Sequence, residues 1–289
     1  MRAENHTPGR RPLDAASLRR AALRPDGLWR EIEVVPSTGS TNADLLARAR
    51  RGEPEGVVLA AEEQATGRGR MGRRWVSPPR AALTFSVLLN PGVPPARRGW
   101  LPLLAGVAAA AAVTEVTGVQ ARLKWPNDLL AGDVLAGEGK LAGILAEAAG
   151  DAVVVGIGLN VSTEPAELSH LLADPGPGEL PATSLPATSL RAAGATALDR
   201  EELLLAILSG FERWYRAWQQ AGGDPDRSGL RPEYVRWSAT IGRTVRAELP
   251  GGQALSGPAA GIDPDGRLLV RVSPGSEVPV AAADVVHLR

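Results

Sequence analysis

Thirty of the 32 basic side chains in this chain are arginines. Its two lysines, Lys124 and Lys140, both fall in segments crowded with Gly, Trp, Pro, Asn and Asp: Leu123-Lys-Trp-Pro-Asn-Asp128 and Gly139-Lys-Leu-Ala-Gly-Ile-Leu145. A lysine kept against so strong a preference for arginine marks a place where a planar guanidinium does not serve. A compact ammonium with three donors suits a carboxylate beside a phosphate, two oxyanions that must be brought together against their repulsion. Lys140 is not a Walker A lysine, because Val134 stands where the first glycine would be and Leu141 where the metal-binding hydroxyl would be.

A second charged segment is Gln64-Ala-Thr-Gly-Arg-Gly-Arg-Met-Gly-Arg-Arg-Trp75. Gly67, Gly69 and Gly72 satisfy G-x-G-x-x-G literally, but a dinucleotide fingerprint opens a helix. This segment runs into Val76-Ser-Pro-Pro79, which cannot continue one. Arg68, Arg70, Arg73 and Arg74 interleaved with glycines make a mobile loop whose guanidiniums can grip phosphate or carboxylate oxygens bidentately, each contact contributing roughly 1.5–3 kcal/mol when shielded. Without an anion, such a loop is expected to repel itself and to be poorly ordered.

Trp125-Pro-Asn-Asp128 sets an amide and a carboxylate in a tight turn after a strand. Asp128 either holds Mg²⁺, or orients Lys124 or Lys140, or joins Asn127 in satisfying the turn's own amides; all three readings stay open. Ser40, Thr41 and Asn42 place short polar groups at a helix start, where they cap the helix or meet a small neutral polar ligand.

The elements that must position these groups follow from periodicity. A strand at Ile32–Val35 leads through Ser37–Asn42 into a helix over Ala43–Ala49. Strand-like runs at Val57–Glu62, Leu83–Leu89, Ala142–Glu147 and Val153–Val161 surround an alanine-rich helix at Leu101–Val116, whose apolar run is too short to span a bilayer. Asp199 and Glu202 open a helix carrying Leu204, Ile207, Leu208, Phe211, Trp214, Tyr215 and Trp218 on one face, a core stripe. Residues 173–198 read as a Pro/Gly/Ala/Ser/Thr-rich loop with a direct repeat, Pro181-Ala-Thr-Ser-Leu185 and Pro186-Ala-Thr-Ser-Leu190. After a linker from Gly222, short strands at Thr244–Leu249, Leu268–Val272 and Val285–Leu288 with glycine turns predict a small SH3-like β-barrel. The expected class is α+β: a mixed β-sheet with packed helices plus that barrel. The expected divisions are a flexible extension over 1–30, a catalytic domain over 31–236 and the barrel over 237–289.

Composition narrows the function classes. A formal net charge of zero argues against bulk attraction to nucleic acid or membrane, so an anion must be met by a local cluster. The absence of cysteine removes thiolate catalysis and sulfur-ligated zinc. His6, His170 and His287 show no metal spacing. No secretion signal is visible at the N-terminus, so cytoplasmic residence is expected.

Taken together, these segments resemble the biotin–protein ligases. The resemblance rests on Ser-Thr-Asn at 40–42, Gln64, the arginine–glycine run at 67–75, Lys-Trp-Pro-Asn-Asp at 124–128, Gly-Lys-Leu-Ala-Gly-Ile-Leu at 139–145 and Gly-Ile-Gly-Leu-Asn at 156–160, in family order. It implies a class II synthetase-like catalytic domain and a two-step reaction: biotin and ATP form biotinyl-5′-AMP, and a lysine of a biotin carboxyl carrier domain then takes the biotinyl group. By the same resemblance Ser40, Thr41, Asn42, Gln64, Arg68, Gly69, Arg70, Lys140 and Gly143 would hold biotin. Arg68, Arg70, Arg73, Trp75, Lys124, Asn127, Asp128, Lys140 and Asn160 would hold ATP, with Lys140, Arg70 and Asp128 as the catalytic set and Asp128 as the magnesium ligand. Some family members carry a DNA-binding domain; residues 1–30 are too short to supply one, so a ligase without operator binding is expected, as monomer or homodimer. The alternatives are a lipoate–protein ligase or octanoyl transferase, and a non-catalytic adenylate sensor.

Overall fold

The computed structural model of the protein describes residues 10–132, 137–168, 185–249, 252–281 and 283–288. His6, His170, the first copy of the repeat up to residue 184, and the Pro250-Gly251 part of a predicted turn lie outside the described residues. Seven strands form one mixed sheet in the order β1-β2-β3-β7-β6-β5-β4. They are β1 (Glu31–Val35), β2 (Val57–Ala61), β3 (Ala82–Leu89), β4 (Ala121–Lys124), β5 (Asp128–Ala131), β6 (Gly139–Ala149) and β7 (Ala152–Asn160). Only β1 and β2 run parallel, and the helix between them, α2 (Thr41–Arg50), makes the crossover. The remaining pairs are antiparallel.

One face of the sheet carries the main core. Against it lie α3 (Trp100–Thr117) and α4 (Arg200–Gln220). Together with the turn before it, α3 makes a 23-residue apolar helical stretch, longer than the bare apolar run and long enough to cross a membrane by length alone. Its Leu101, Leu104, Ala105 and Val107 are fully buried against protein, so the apolarity is that of a core helix. The predicted stripe on α4 is the core face: Leu204, Ile207, Leu208, Phe211, Tyr215 and Trp218 are buried, with Trp214 at its edge. Asp199 caps this helix by accepting from the amides of Glu201 and Glu202.

On the opposite face α2 packs Leu45 and Leu46 onto Val57, Leu59, Leu88 and Val154. A second sheet, in the order β11-β10-β9-β8-β12, is built from β8 (Thr244–Glu248), β9 (Ala254–Ile262), β10 (Leu268–Ser273), β11 (Ser276–Val280) and β12 (Asp284–His287), all antiparallel, and is the SH3-like module. Between the predicted linker and the second sheet a short helix, α5 (Leu230–Trp237), forms because Leu230 and Tyr234 are buried, the latter edge-on to Trp100.

Residues 10–30 are not a flexible extension, which corrects the expectation. Asp14 caps α1 (Ala15–Ala22), and Leu13, Leu18, Ala22, Leu28 and Trp29 join the main core. The segment is also pinned by polar groups: Glu62 accepts from the amide of Leu13 at 2.6 Å and pairs with Arg200 at 2.7 Å, while Arg200 donates to the carbonyl of Arg11 at 2.6 Å. An eight-residue helix has no stability of its own, so its existence depends on partners about 50 and 190 residues away that local periodicity cannot reveal.

Candidate active site

Two hairpins and one helix start converge on the α2 face of the sheet. The first hairpin joins β4 and β5 through a turn with a cis Trp125–Pro126 bond, and brings Lys124 opposite Asp128. Trp125 anchors this turn to the second sheet's flank, its amide donating to Thr240 Oγ1 at 3.0 Å and its indole to the carbonyl of Gly266 at 3.1 Å. Asn127 ties the turn to β6, donating to the carbonyl of Ile144 at 3.1 Å.

A bulge between β5 and β6 then decides where Lys140 points. Leu130 pairs with Lys140 and Leu129 with Ala142, leaving Leu141 unmatched. The extra residue puts Lys140 and Gly143 on the same face despite their odd spacing. Because residue 143 has no side chain, the Lys140 stem lies across it, 3.5 Å from where a Cβ would be. The ammonium ends 2.7 Å from Asp128 Oδ1, an ion pair by proximity whose alignment is too oblique for a hydrogen bond. Lys124 is held close by; burial above all lowers its pKa, and Lys140 adds to this, whereas Asp128 opposes it.

The arginine segment is a closed hairpin in which Gly69 donates to the carbonyl of Arg73 at 2.7 Å and Trp75 to that of Gly67 at 2.9 Å. Two of its guanidiniums find partners far along the chain. Arg73 pairs with Asp284 of β12, and Arg70 donates to Asn127 Oδ1 at 3.3 Å. Burial depresses the Arg70 pKa, with Asp284 and Asp128 opposing the shift. Met71 stands at the hairpin tip with φ 55°, and Arg68 and Arg74 are exposed.

Trp75 closes the hairpin onto β7. A Cβ at Gly158 would lie 2.4 Å from the Trp75 ring, and one at Gly156 would lie 2.1 Å from Asn42 Oδ1. The Gly-x-Gly of β7 thus clears one face of the sheet for an indole and an amide.

At the other wall, Ser40 caps α2, its hydroxyl accepting from the amide of Ala43 at 3.4 Å. Thr41 donates its amide to Gln64 Oε1 at 2.8 Å. Asn160 donates to the carbonyl of Thr188 at 2.9 Å. The second repeat copy lies along the start of β6, where the Lys140 amide donates to the carbonyl of Pro186 at 2.7 Å.

All fifteen predicted site residues line one cavity: Ser40, Thr41, Asn42, Gln64, Arg68, Gly69, Arg70, Arg73, Trp75, Lys124, Asn127, Asp128, Lys140, Gly143 and Asn160. Its lining includes six cationic side chains, Arg74 among them, against two carboxylates, Asp128 and Asp284. Sequence reasoning missed Asp284, Val285 and Val286, which the second sheet supplies, along with Leu168, Leu185 and Ala187, the last bridged to Lys140. None carries a local signal of chemistry. Among the described residues no three His, Cys, Asp or Glu side chains gather as a metal cluster.

A polar wall facing a strongly cationic wall across a glycine-cleared sheet defines a site for a small polar molecule beside a polyanion. Two family profiles match the chain: Biotin/lipoate A/B protein ligase family over residues 32–163 and Biotin protein ligase C terminal domain over residues 240–288. The chain belongs to the biotin protein ligase family. It is 45% identical over 285 residues to the biotin--[acetyl-CoA-carboxylase] ligase of Mycobacterium tuberculosis, covering 97% of each chain. It is 33% identical over 258 residues to the bifunctional ligase/repressor BirA of Bacillus subtilis, covering 88% of this chain and 72% of that one. The solved biotin protein ligase from Aquifex aeolicus in complex with biotin and ATP superposes with a TM-score of 0.68 at 26% identity, over 90% of this chain and 100% of that one.

Proposed function

We propose that the protein ligates biotin, at the expense of ATP, to a lysine of a biotin carboxyl carrier domain of a carboxylase. The observation that carries this reading is the convergence of Lys140, Lys124, Arg70 and Arg73 on one wall of the cavity whose other wall holds Ser40, Thr41, Asn42 and Gln64. In the first step a biotin carboxylate oxygen bonds to the α-phosphorus of ATP. The bond from that phosphorus to the bridging oxygen breaks, and pyrophosphate leaves. In the second, the carrier lysine's free amine attacks the acyl carbon, AMP departs with the anhydride oxygen, and one proton is released. Neither step needs a nucleophile from the protein.

The cationic wall offsets the charge that makes the first step slow. Lys140 bridges the biotin carboxylate and the α-phosphate, Asp128 keeps its ammonium in place, and Arg70, Arg73 and Lys124 meet the triphosphate. Ser40, Thr41, Asn42 and Gln64 receive the ureido group. Arg68 and Trp75 close over the acyl-phosphate, and the hairpin that carries them keeps water from the anhydride. Asp128 is the residue that would hold a magnesium ion here, since such an ion needs only about one or two protein carboxylates, and the ion would offset phosphate charge when bound. The reading includes a chain that acts without nucleic acid, in the cytoplasm.

Biotin-dependent release of pyrophosphate, followed by label transfer to a purified carrier domain, tests it. Lys140→Ala is expected to lower adenylate formation by about 100-fold or more while the protein folds normally. Turnover unchanged in that variant, or lipoyl transfer without biotinyl transfer, overturns the reading.

A further inference from the structure

Behind the polar wall runs a chain of hydrogen bonds whose direction is set at its far end. The Asn42 amide nitrogen faces two groups that can only accept, the carbonyl of Leu145 at 3.2 Å and Glu147 Oε2 at 2.8 Å. This forces Asn42 Oδ1 to the other side, where Ser86 Oγ lies 2.6 Å away and must donate to it. Ser86 is fully buried on β3 and has one proton. Thr41 Oγ1, 2.7 Å from Ser86 Oγ, is therefore the donor in that contact. Gln64 Oε1, which takes the Thr41 amide and keeps a second lone pair, lies 3.1 Å from Thr41 Oγ1 and is the more distant of the hydroxyl's two inward acceptors. The sequence Thr41→Ser86→Asn42→Glu147 is thus polarised toward a carboxylate.

We propose that Ser86 and Glu147, neither of which touches the ligand, are positioning residues that fix the Thr41 hydroxyl as an acceptor only. This rests on the biotin reading above and adds a specificity rule to it. With its proton committed inward, Thr41 can meet a ureido N–H but repels an acceptor placed there. The hydroxyl of Ser40, whose oxygen takes the Ala43 amide, keeps its own proton and serves the ureido carbonyl. The wall therefore reads the donor–acceptor order of a cyclic urea, and Ser86 sets that order.

The test is calorimetric titration of the full chain with biotin and with the two cyclic carbamate analogues in which one ureido N–H is replaced by oxygen. One analogue sets oxygen against Thr41 Oγ1, and the wild type is expected to bind it about 100-fold more weakly than biotin. In Ser86→Ala the Thr41 proton loses its nearer acceptor and keeps only the 3.1 Å contact to Gln64 Oε1, so it turns toward a ligand acceptor more readily. Biotin then weakens, and the discrimination against that analogue falls to about tenfold or less. If Ser86 only shapes the pocket, both ligands weaken together and the ratio stays put, which overturns the proposal while biotin binding by the wild type leaves the functional reading intact. Absence of biotin binding by the wild type overturns both. Thermal unfolding checks the fold of the variant. Should Ser86→Ala not fold, Glu147→Ala at the half-exposed end of the chain carries the same test. There the ratio must drop by about threefold, since the Leu145 carbonyl alone then orients the amide, and an unchanged ratio refutes the idea.

Discussion

One methyl group at Gly158 is expected to lift Trp75 off the sheet and open the site. A Cβ there would lie 2.4, 2.6 and 2.8 Å from Cε2, Nε1 and Cζ2 of the ring. Carbon atoms rest about 3.5–4.0 Å apart, so the indole must rise by about 1 Å or more. The strand cannot give way, because Gly158 pairs with Thr84 on one side and Gly143 on the other. Losing one face of the ring, about 100 Å² at about 25 cal/mol per Å², removes ~2.5 kcal/mol from hairpin closure, an upper bound of about 60-fold. Gly158→Ala should therefore lower kcat/KM for ATP in biotin-dependent pyrophosphate release by up to that factor, and speed trypsin cleavage in the 67–75 segment. Unfolding stability should change by less than about 1 kcal/mol, since the hairpin lies outside both cores. Gly143→Ala is the graded control: its Cβ would sit 3.3 Å from the same ring, and an effect within about threefold is expected. Unaltered kinetics and cleavage in Gly158→Ala would refute the reasoning.

Removing the Arg200 guanidinium by Arg200→Met strands the Glu62 carboxylate in a site where both side chains are 7% exposed, and should cost about 3–5 kcal/mol in urea unfolding with little change in ATP KM; a loss below about 1 kcal/mol would show the N-terminal segment is not pinned there. His287, whose ring nitrogens lie 3.0 Å from Thr240 Oγ1 and 3.1 Å from an Arg243 guanidinium nitrogen, has its pKa pushed down to about 4 by burial, with Lys124 and Arg243 adding to it. The unfolded chain then binds the extra proton, so stability is full above about pH 6.5 and declines as pH falls toward about 4. Thermal unfolding against pH should show that decline, and a His287→Gln variant should flatten it.

Several features were legible in the sequence because they are local. The α4 stripe, the α2 cap at Ser40 and the strand runs depend on neighbours within a few residues, and the chain's periodicity reports them directly. The lysine and arginine motifs stood out because glycine, proline and tryptophan punctuate them. α1 escaped notice because its partners, Glu62 and Arg200, are remote.

Spacing singled out the lysine, arginine–glycine and Ser-Thr-Asn segments as facing an anion and a small polar group, the family resemblance extended them to fifteen residues that the fold gathers at one cavity, and periodicity placed most of the elements that carry them. The tertiary structure alone decided three things. The β5–β6 bulge turned Lys140 onto the face of Gly143 and Asp128. The second sheet delivered Asp284 to Arg73, giving the arginine hairpin a counter-charge. The stacking of α2 on β3 and β6 linked Thr41, Ser86, Asn42 and Glu147 into one directed chain. Each joins groups that become neighbours only when the sheets close, and register and long-range pairing are set by packing that no local pattern encodes.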